Sequence, residues 1–139
     1  MTRDGIEFSA DVDRLDVDLI HRFLAESYWA EGRSRERVVR SIKYTLCMAA
    51  YDGETQVGFG RLVTDRAVFA YLADVFVLPD YRQRGIARRL VQSLLAHPEV
   101  ASLSSVLLKT ADAHPLYREL GFEELPDPER FMMLSLDGH

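Results

Sequence analysis

Between Tyr81 and Arg89 the chain reads Tyr-Arg-Gln-Arg-Gly-Ile-Ala-Arg-Arg, a stretch with the composition of an anion site. Gly85 and Ala87 carry little or no side chain, so a ligand can approach the backbone there. Helical spacing of apolar residues begins at Gly85, and the first turn of a helix leaves its amide N–H groups without partners. No Ser, Thr, Asp or Asn stands between Tyr81 and Ala87 to cap them, while Arg82, Arg84, Arg88 and Arg89 add positive charge. A phosphate-bearing ligand meets both conditions. Taken alone, Arg82 to Ala87 fit an ordinary helix start with solvated arginines even more simply. Neither G-x-x-x-x-G-K-[ST] nor a G-x-G-x-x-G after a strand occurs, which disfavours kinase, nucleotidase and dinucleotide folds.

Asp74 lies within the apolar run Tyr71-Leu72-Ala73-Asp74-Val75-Phe76-Val77. A carboxylate in such a strand is costly unless paired, so Asp74 has either a function or an arginine partner. Cys47 is the sole cysteine; flanked by Leu46 and Met48, it reads as a buried structural thiol. No His, Cys, Asp and Glu spacing suggests a metal site.

The elements that must hold these groups follow from periodicity. Ile6 to Phe8 is a first strand, and Val17, Leu19, Ile20, Phe23 and Leu24 recur at helical spacing from Asp16 to Ser27. Ser34 caps a second helix, and Tyr28 to Arg33 is the loop between the two. Thr45 to Tyr51, Gln56 to Thr64 and Val68 to Leu78 form an antiparallel meander with turns at Asp52-Gly53-Glu54 and Asp65-Arg66. A helix from Gly85 to His97 then crosses over to a strand at Ser105 to Thr110, which requires a parallel pair with the strand before the helix. A short helix opens at Asp112 or Thr110 and runs through Leu120, Gly121 stops it, and Phe122 to Glu124 and Phe131 to Leu136 are the last expected strands. The class is α/β: a mixed, mostly antiparallel sheet with flanking helices and a central parallel strand pair.

The 139 residues fit one domain, 1–139, with a core of its own. A net charge of −5 argues against nonspecific nucleic-acid binding. No apolar stretch is long enough to span a bilayer and no signal-peptide core follows Met1, so a soluble, cytoplasmic protein is expected.

Val77-Leu78-Pro79-Asp80-Tyr81-Arg82-Gln83-Arg84-Gly85-Ile86-Ala87 resembles the signature of the GNAT superfamily of acyl-CoA N-acyltransferases, a strand and bend followed by R-x-x-G-x-G/A. Downstream, Ala113-His114-Pro115-Leu116-Tyr117-Arg118-Glu119-Leu120-Gly121-Phe122 is similar to the family's A-x-x-L-Y-x-x-L-G-F ending. Two motifs in the right order are far more specific than either alone, and together they span about residues 70–122.

The resemblance implies a GNAT acyltransferase fold using acetyl-CoA as acyl donor, with no metal. The amides of Arg84, Gly85, Ile86 and Ala87, with Arg82 and Gln83, would hold the pyrophosphate. Val75 and Val77 would pair with the pantetheine arm as an added strand, and an amide near Val75 or Phe76 would support the oxyanion. Tyr117 matches the tyrosine that gives a proton to the departing thiolate, its alternative being a packed aromatic beside Phe122. The strand around Asp74 resembles that of polyamine acetyltransferases, which makes Asp74 the candidate base, although Ala73 replaces the first acid of their pair. Tyr28, Trp29 and Arg33 fall where family members close over the acceptor; they are either an acceptor wall or packing between helices. The implied reaction is direct attack by a primary amine of a small molecule in a ternary complex, with a homodimer allowed. The alternatives are a noncatalytic acyl-CoA-binding regulatory module, against which Tyr117 speaks, and acetylation of a peptide or protein amine.

Overall fold

The computed structural model describes residues 4–136. Five strands stand side by side in chain order: β1 (Ile6–Ser9), β2 (Leu46–Asp52), β3 (Thr55–Thr64), β4 (Phe69–Val77) and β5 (Ser105–Leu108). The first four are antiparallel and β4 pairs with β5 in parallel, as the crossover requires. Gly53, at φ +62°, supplies the left-handed residue of the tight β2–β3 turn.

Four helices flank the sheet: α1 (Val17–Glu26), α2 (Arg35–Lys43), α3 (Ile86–Leu95) and α4 (His114–Glu119). The Asp16 side chain caps α1 by accepting from the Leu19 amide at 3.0 Å, and Ser34 caps α2 by accepting from Arg37 at 3.2 Å. The alternation of β2 splits its buried side chains between two layers. Leu46, Met48 and Ala50 pack with Ile86, Leu90, Val91 and Leu94 of α3, whereas Cys47 packs with Ile20, Leu24 and Val38 of α1 and α2. Each fully buried aliphatic side chain contributes roughly 1.5–3 kcal/mol.

Two irregularities shape the middle of the sheet. Phe59 pairs with Phe76 and Arg61 with Ala73, so Asp74 and Val75 both stand opposite the single residue Gly60. This is a β-bulge, and Asp74 takes its left-handed position at φ +56°. A Cβ at residue 60 would come within 3.3 Å of Leu90 Cδ2 and Val75 Cγ2, so a larger residue there would push α3 and the bulge apart by a few tenths of an ångström. The ladder between β4 and β5 ends at Leu72 and Leu108. Beyond it, Ala73 to Val77 present a strand edge with no neighbouring strand on the β5 side.

Two expected strands do not form. Phe122 to Glu124 and Phe131 to Leu136 join no ladder, and β5 remains the edge of the sheet. The last helix is also shorter than expected: Thr110 Oγ1 accepts from the Ala113 amide at 3.1 Å, and Pro115 falls in the first turn of α4. Among the described residues no helix is long and apolar enough to cross a membrane.

Candidate functional site

The turn before α3 exposes backbone rather than side chains. Gln83 and Gly85 have φ of +63° and +72°, and Gly85 occupies the N-cap position with no side chain to close the helix end. Among the described residues, none of the six amides from Gln83 to Arg88 donates a hydrogen bond. Such a run of free donors, reinforced by the helix dipole, forms an anion cradle. It opens into a cleft of about 340 Å³ bordered by Val77, Ile86, Ala87 and Leu116.

The arginines divide their roles. Arg82 Nε donates to the Val77 carbonyl at 3.1 Å, and Arg84 lies over the Tyr81 ring with its guanidinium carbon 5.0 Å from the ring centre. Arg88 reaches Glu119 at 3.7 Å in an exposed, weak pair. Arg89 is committed to Asp4 and does not join the cradle.

Tyr117 is buried on α4, its ring meeting Phe122 edge-on with centroids 5.7 Å apart. Its hydroxyl has no hydrogen-bond partner among the described residues. Burial pushes the phenol up to about 12, and the Tyr28 phenol adds a smaller push, so the α1–α2 loop lies within electrostatic reach of Tyr117. Packing against Phe122 and a free, strongly protonated hydroxyl therefore coexist at this residue. Tyr117 also lines a second cleft, of about 740 Å³, which runs along β5.

Asp74 has the arginine partners that its burial demands. Its Oδ2 accepts from Arg61 Nε and from an Arg33 guanidinium nitrogen, each at 2.7 Å, and Oδ1 accepts from Trp29 Nε1 at 3.0 Å. Burial pushes the carboxyl up, but the Arg61 guanidinium and then that of Arg33 outweigh it and hold the group below the ordinary carboxylate value. With both oxygens engaged, the geometry favours the ion-paired alternative over a free base. Asp74 thus draws Trp29 and Arg33 onto the bulge, and the ring stack continues through Tyr28, Trp29, Phe23 and Phe76.

Sequence reasoning missed Arg61, and it took Phe23 only as part of a helix stripe and Phe76 only for its backbone amide. The signal for Arg61 was present: it is the one cation in the run Val57 to Val63, paired in register with Ala73 next to Asp74. Among the described residues no group of three or more His, Cys, Asp or Glu side chains is placed to hold a metal ion.

Known proteins resemble this arrangement. The sequence profile of the acetyltransferase (GNAT) domain matches residues 43–124. A crystal structure from Xanthomonas campestris pv. campestris, described as a candidate acetyltransferase of the GNAT family, is 39% identical with a TM-score of 0.91, covering 94% of this chain and 93% of that one. A candidate acetyltransferase of Gibberella zeae is 28% identical over 145 residues, 88% of this chain and 82% of the relative. An aminoglycoside N(6')-acetyltransferase type 1 of Acinetobacter genomosp. 13 is 35% identical over 65 residues, 44% of either chain.

Proposed function

The chain belongs to the GNAT family of acetyltransferases, and from that premise we propose that it moves an acetyl group from acetyl-CoA to the primary amine of a small molecule, by direct attack within a ternary complex. The observation that carries this reading is the row of six free amides from Gln83 to Arg88 beside the unpaired edge of β4. These features fit the donor. A diphosphate needs convergent N–H groups and open space, and a Cβ at residue 85 would meet only the Arg88 side chain, at 3.6 Å. An amide-bearing arm needs a strand edge, which Ala73 to Val77 offer.

Acetyl-CoA supplies a thioester that an amine can attack, forming a C–N bond as the C–S bond breaks. The chain's own groups act around that exchange. The cradle and β4 fix the donor, an amide of the bulged segment near Val75 or Phe76 faces the developing oxyanion, and the Tyr117 hydroxyl gives its proton to the departing sulfur, while the attacking nitrogen loses a proton to solvent water, from which the phenol is restored. The phenol, pushed up to about 12, stays protonated at neutral pH. Asp74 is a positioning residue here: it orients Trp29 and Arg33, which with Tyr28 border the acceptor. Transfer to nitrogen is supported by the 65-residue similarity to an aminoglycoside N-acetyltransferase.

The test is a panel of amines, comprising polyamines, amino acids, aminoglycosides and peptide N-termini, read by thiol release from acetyl-CoA. Turnover with one class of small amine is expected. Turnover confined to peptides would replace the small-molecule acceptor, and calorimetric binding of acetyl-CoA with silence across the panel would favour a noncatalytic module.

A further inference from the structure

The cluster around Asp74 does not balance its charge. Arg33 and Arg61 bring two positive charges to one carboxylate, and among the described residues Asp74 is the only acid within ion-pair distance of either guanidinium. One arginine already matches a buried carboxylate, and drawing a second cation out of water adds a desolvation penalty. A purely structural network would end neutral, whereas this one ends one positive charge in excess. Both guanidiniums also keep spare donors. Arg61 spends Nε and Arg33 one terminal nitrogen on Asp74 Oδ2, and their other nitrogens have no hydrogen-bond partner among the described residues. Those nitrogens are confined yet reachable: the two side chains are 12% and 23% exposed, and the only fully buried, unpartnered side-chain polar atom described is the Tyr51 hydroxyl.

The excess lies beside the reacting atoms of the proposed transfer. Asp74 is followed directly by Val75 and Phe76, whose amides serve the oxyanion in that reaction, and one or two residues of strand rise about 3–7 Å. An amino group and a carboxylate of one small molecule are separated by a similar span. Trp29 donates to the same Asp74 carboxylate, and its neighbour Tyr28 lies within electrostatic reach of Tyr117. The donor does not supply the missing negative charge, because its diphosphate has a cradle of its own past Val77, at the free amides from Gln83 to Arg88.

We propose that the spare nitrogens of Arg33 and Arg61 take a carboxylate of the acceptor, so that the substrate is an amino acid or another small amino carboxylate; this assignment deepens the acetyl-transfer reading and rests on it. The planar guanidinium forks match a planar carboxylate, whose single charge closes the balance. A phosphate monoester, at about −1.5 to −2 near neutral pH, would overshoot it. A polyamine adds positive charge to a cluster already in excess and is rejected. The strand that resembles that of polyamine acetyltransferases thus carries the opposite charge balance, with Ala73 in place of an acid and Arg61 in register beside it.

The test sets each amino acid, together with β-alanine and γ-aminobutyrate, against its own carboxamide, which keeps the amine and removes the charge. For the best acceptor, kcat/KM should exceed that of the carboxamide by about 100-fold, mostly through KM, the loss expected when hydrogen bonds to a charged group disappear. In Arg33→Gln that ratio should fall below about 10 with the KM for acetyl-CoA unchanged, and Arg33→Lys should restore part of it. A carboxamide, a polyamine or an amino phosphate monoester turned over as well as any amino carboxylate overturns the assignment and leaves acetyl transfer standing. So does an Arg33→Gln variant with the parental ratio. Binding is read separately, by Trp29 emission in the coenzyme A complex. If no acceptor turns over, a shift produced by amino carboxylates but absent with carboxamides and in Arg33→Gln upholds the carboxylate site while sinking acetyl transfer; silence in emission as well sinks both.

Discussion

Arg61 Nε stands 2.7 Å from Asp74 Oδ2 across the β3–β4 bulge, and both side chains are almost out of solvent, at 12% and 2% exposure. Burying a carboxylate in a left-handed backbone position has two costs, desolvation and strain, which the second guanidinium of Arg33 and the indole N–H of Trp29 help to offset. The β3–β4 bulge and the α1–α2 loop therefore share one carboxylate.

Asp74→Asn tests that sharing. Asparagine keeps the shape and tolerates positive φ, so the variant removes the charge and turns one acceptor oxygen into an NH2 donor that faces either the guanidiniums or the indole N–H. It leaves two guanidiniums without their anion, and a loss of about 3–5 kcal/mol in urea unfolding is expected at neutral pH. Because the native pKa of Asp74 is depressed, its stabilisation is complete above the unfolded value of about 3.9 and is lost as pH falls through the lower native value. The stability difference between parent and variant should therefore hold from pH 7 to about 5 and shrink in acid. A difference independent of pH would assign the effect to the exchanged hydrogen-bond acceptor instead of charge. In kinetics, a positioning role predicts a raised KM for the amine with the alkaline rise in rate preserved, whereas a base would lose that rise.

Tyr117→Phe removes one oxygen from a ring that stays packed against Phe122. Turnover should fall about 100-fold, within the range for general acids, while acetyl-CoA affinity changes little. Since the phenol lies at about 12, Tyr117 should impose no alkaline decline in kcat below about pH 10. A parent profile falling near pH 8 through a group that the phenylalanine variant lacks would contradict that assignment.

The elements that sequence made legible are those whose signals are local. Asp16 and Ser34 mark helix starts by cap chemistry, Gly53 marks a turn by its φ, and Leu90, Val91 and Leu94 mark the buried face of α3 by period. The uncapped start of α3 was legible for the same reason, since Gly85 and the missing cap are adjacent in the chain. What sequence concealed depends on pairing at a distance. The bulge at Asp74 arises because two residues face Gly60 across a ladder, which no window along β4 reveals. Alternation at Phe131 to Leu136 suggests a strand, but a strand exists only by pairing with an edge, and these residues join no ladder.

Gly85→Glu should separate binding from folding. The residue sits at φ +72°, so any L side chain costs about 1–2 kcal/mol there, but the space around it is open and the fold should persist by circular dichroism. The carboxylate would lie in the cradle, competing with a phosphate for the free amides. Coenzyme A affinity measured by calorimetry should drop by roughly 100-fold or more, the equivalent of losing one or two charge-assisted hydrogen bonds. Unchanged affinity would move the donor site away from Gln83 to Arg88.

Trp29 is the sole tryptophan, so intrinsic fluorescence reports directly on the α1–α2 loop, which the proposed function makes the acceptor wall. Its indole is 41% exposed, donates to Asp74 and meets the Tyr28 ring edge-on at 5.2 Å. An acceptor bound against this ring would displace water from it and shift the emission to shorter wavelength. Saturating coenzyme A, held at the amides before α3, should produce a smaller shift. In Asp74→Asn the indole loses a charged acceptor for its N–H, so the emission of the free protein should move to longer wavelength as the loop loosens. If an amine that serves as substrate leaves the emission of the donor complex unchanged, Trp29 does not border the acceptor, and the wall must be sought at Arg33 and the Tyr117 side of the cleft.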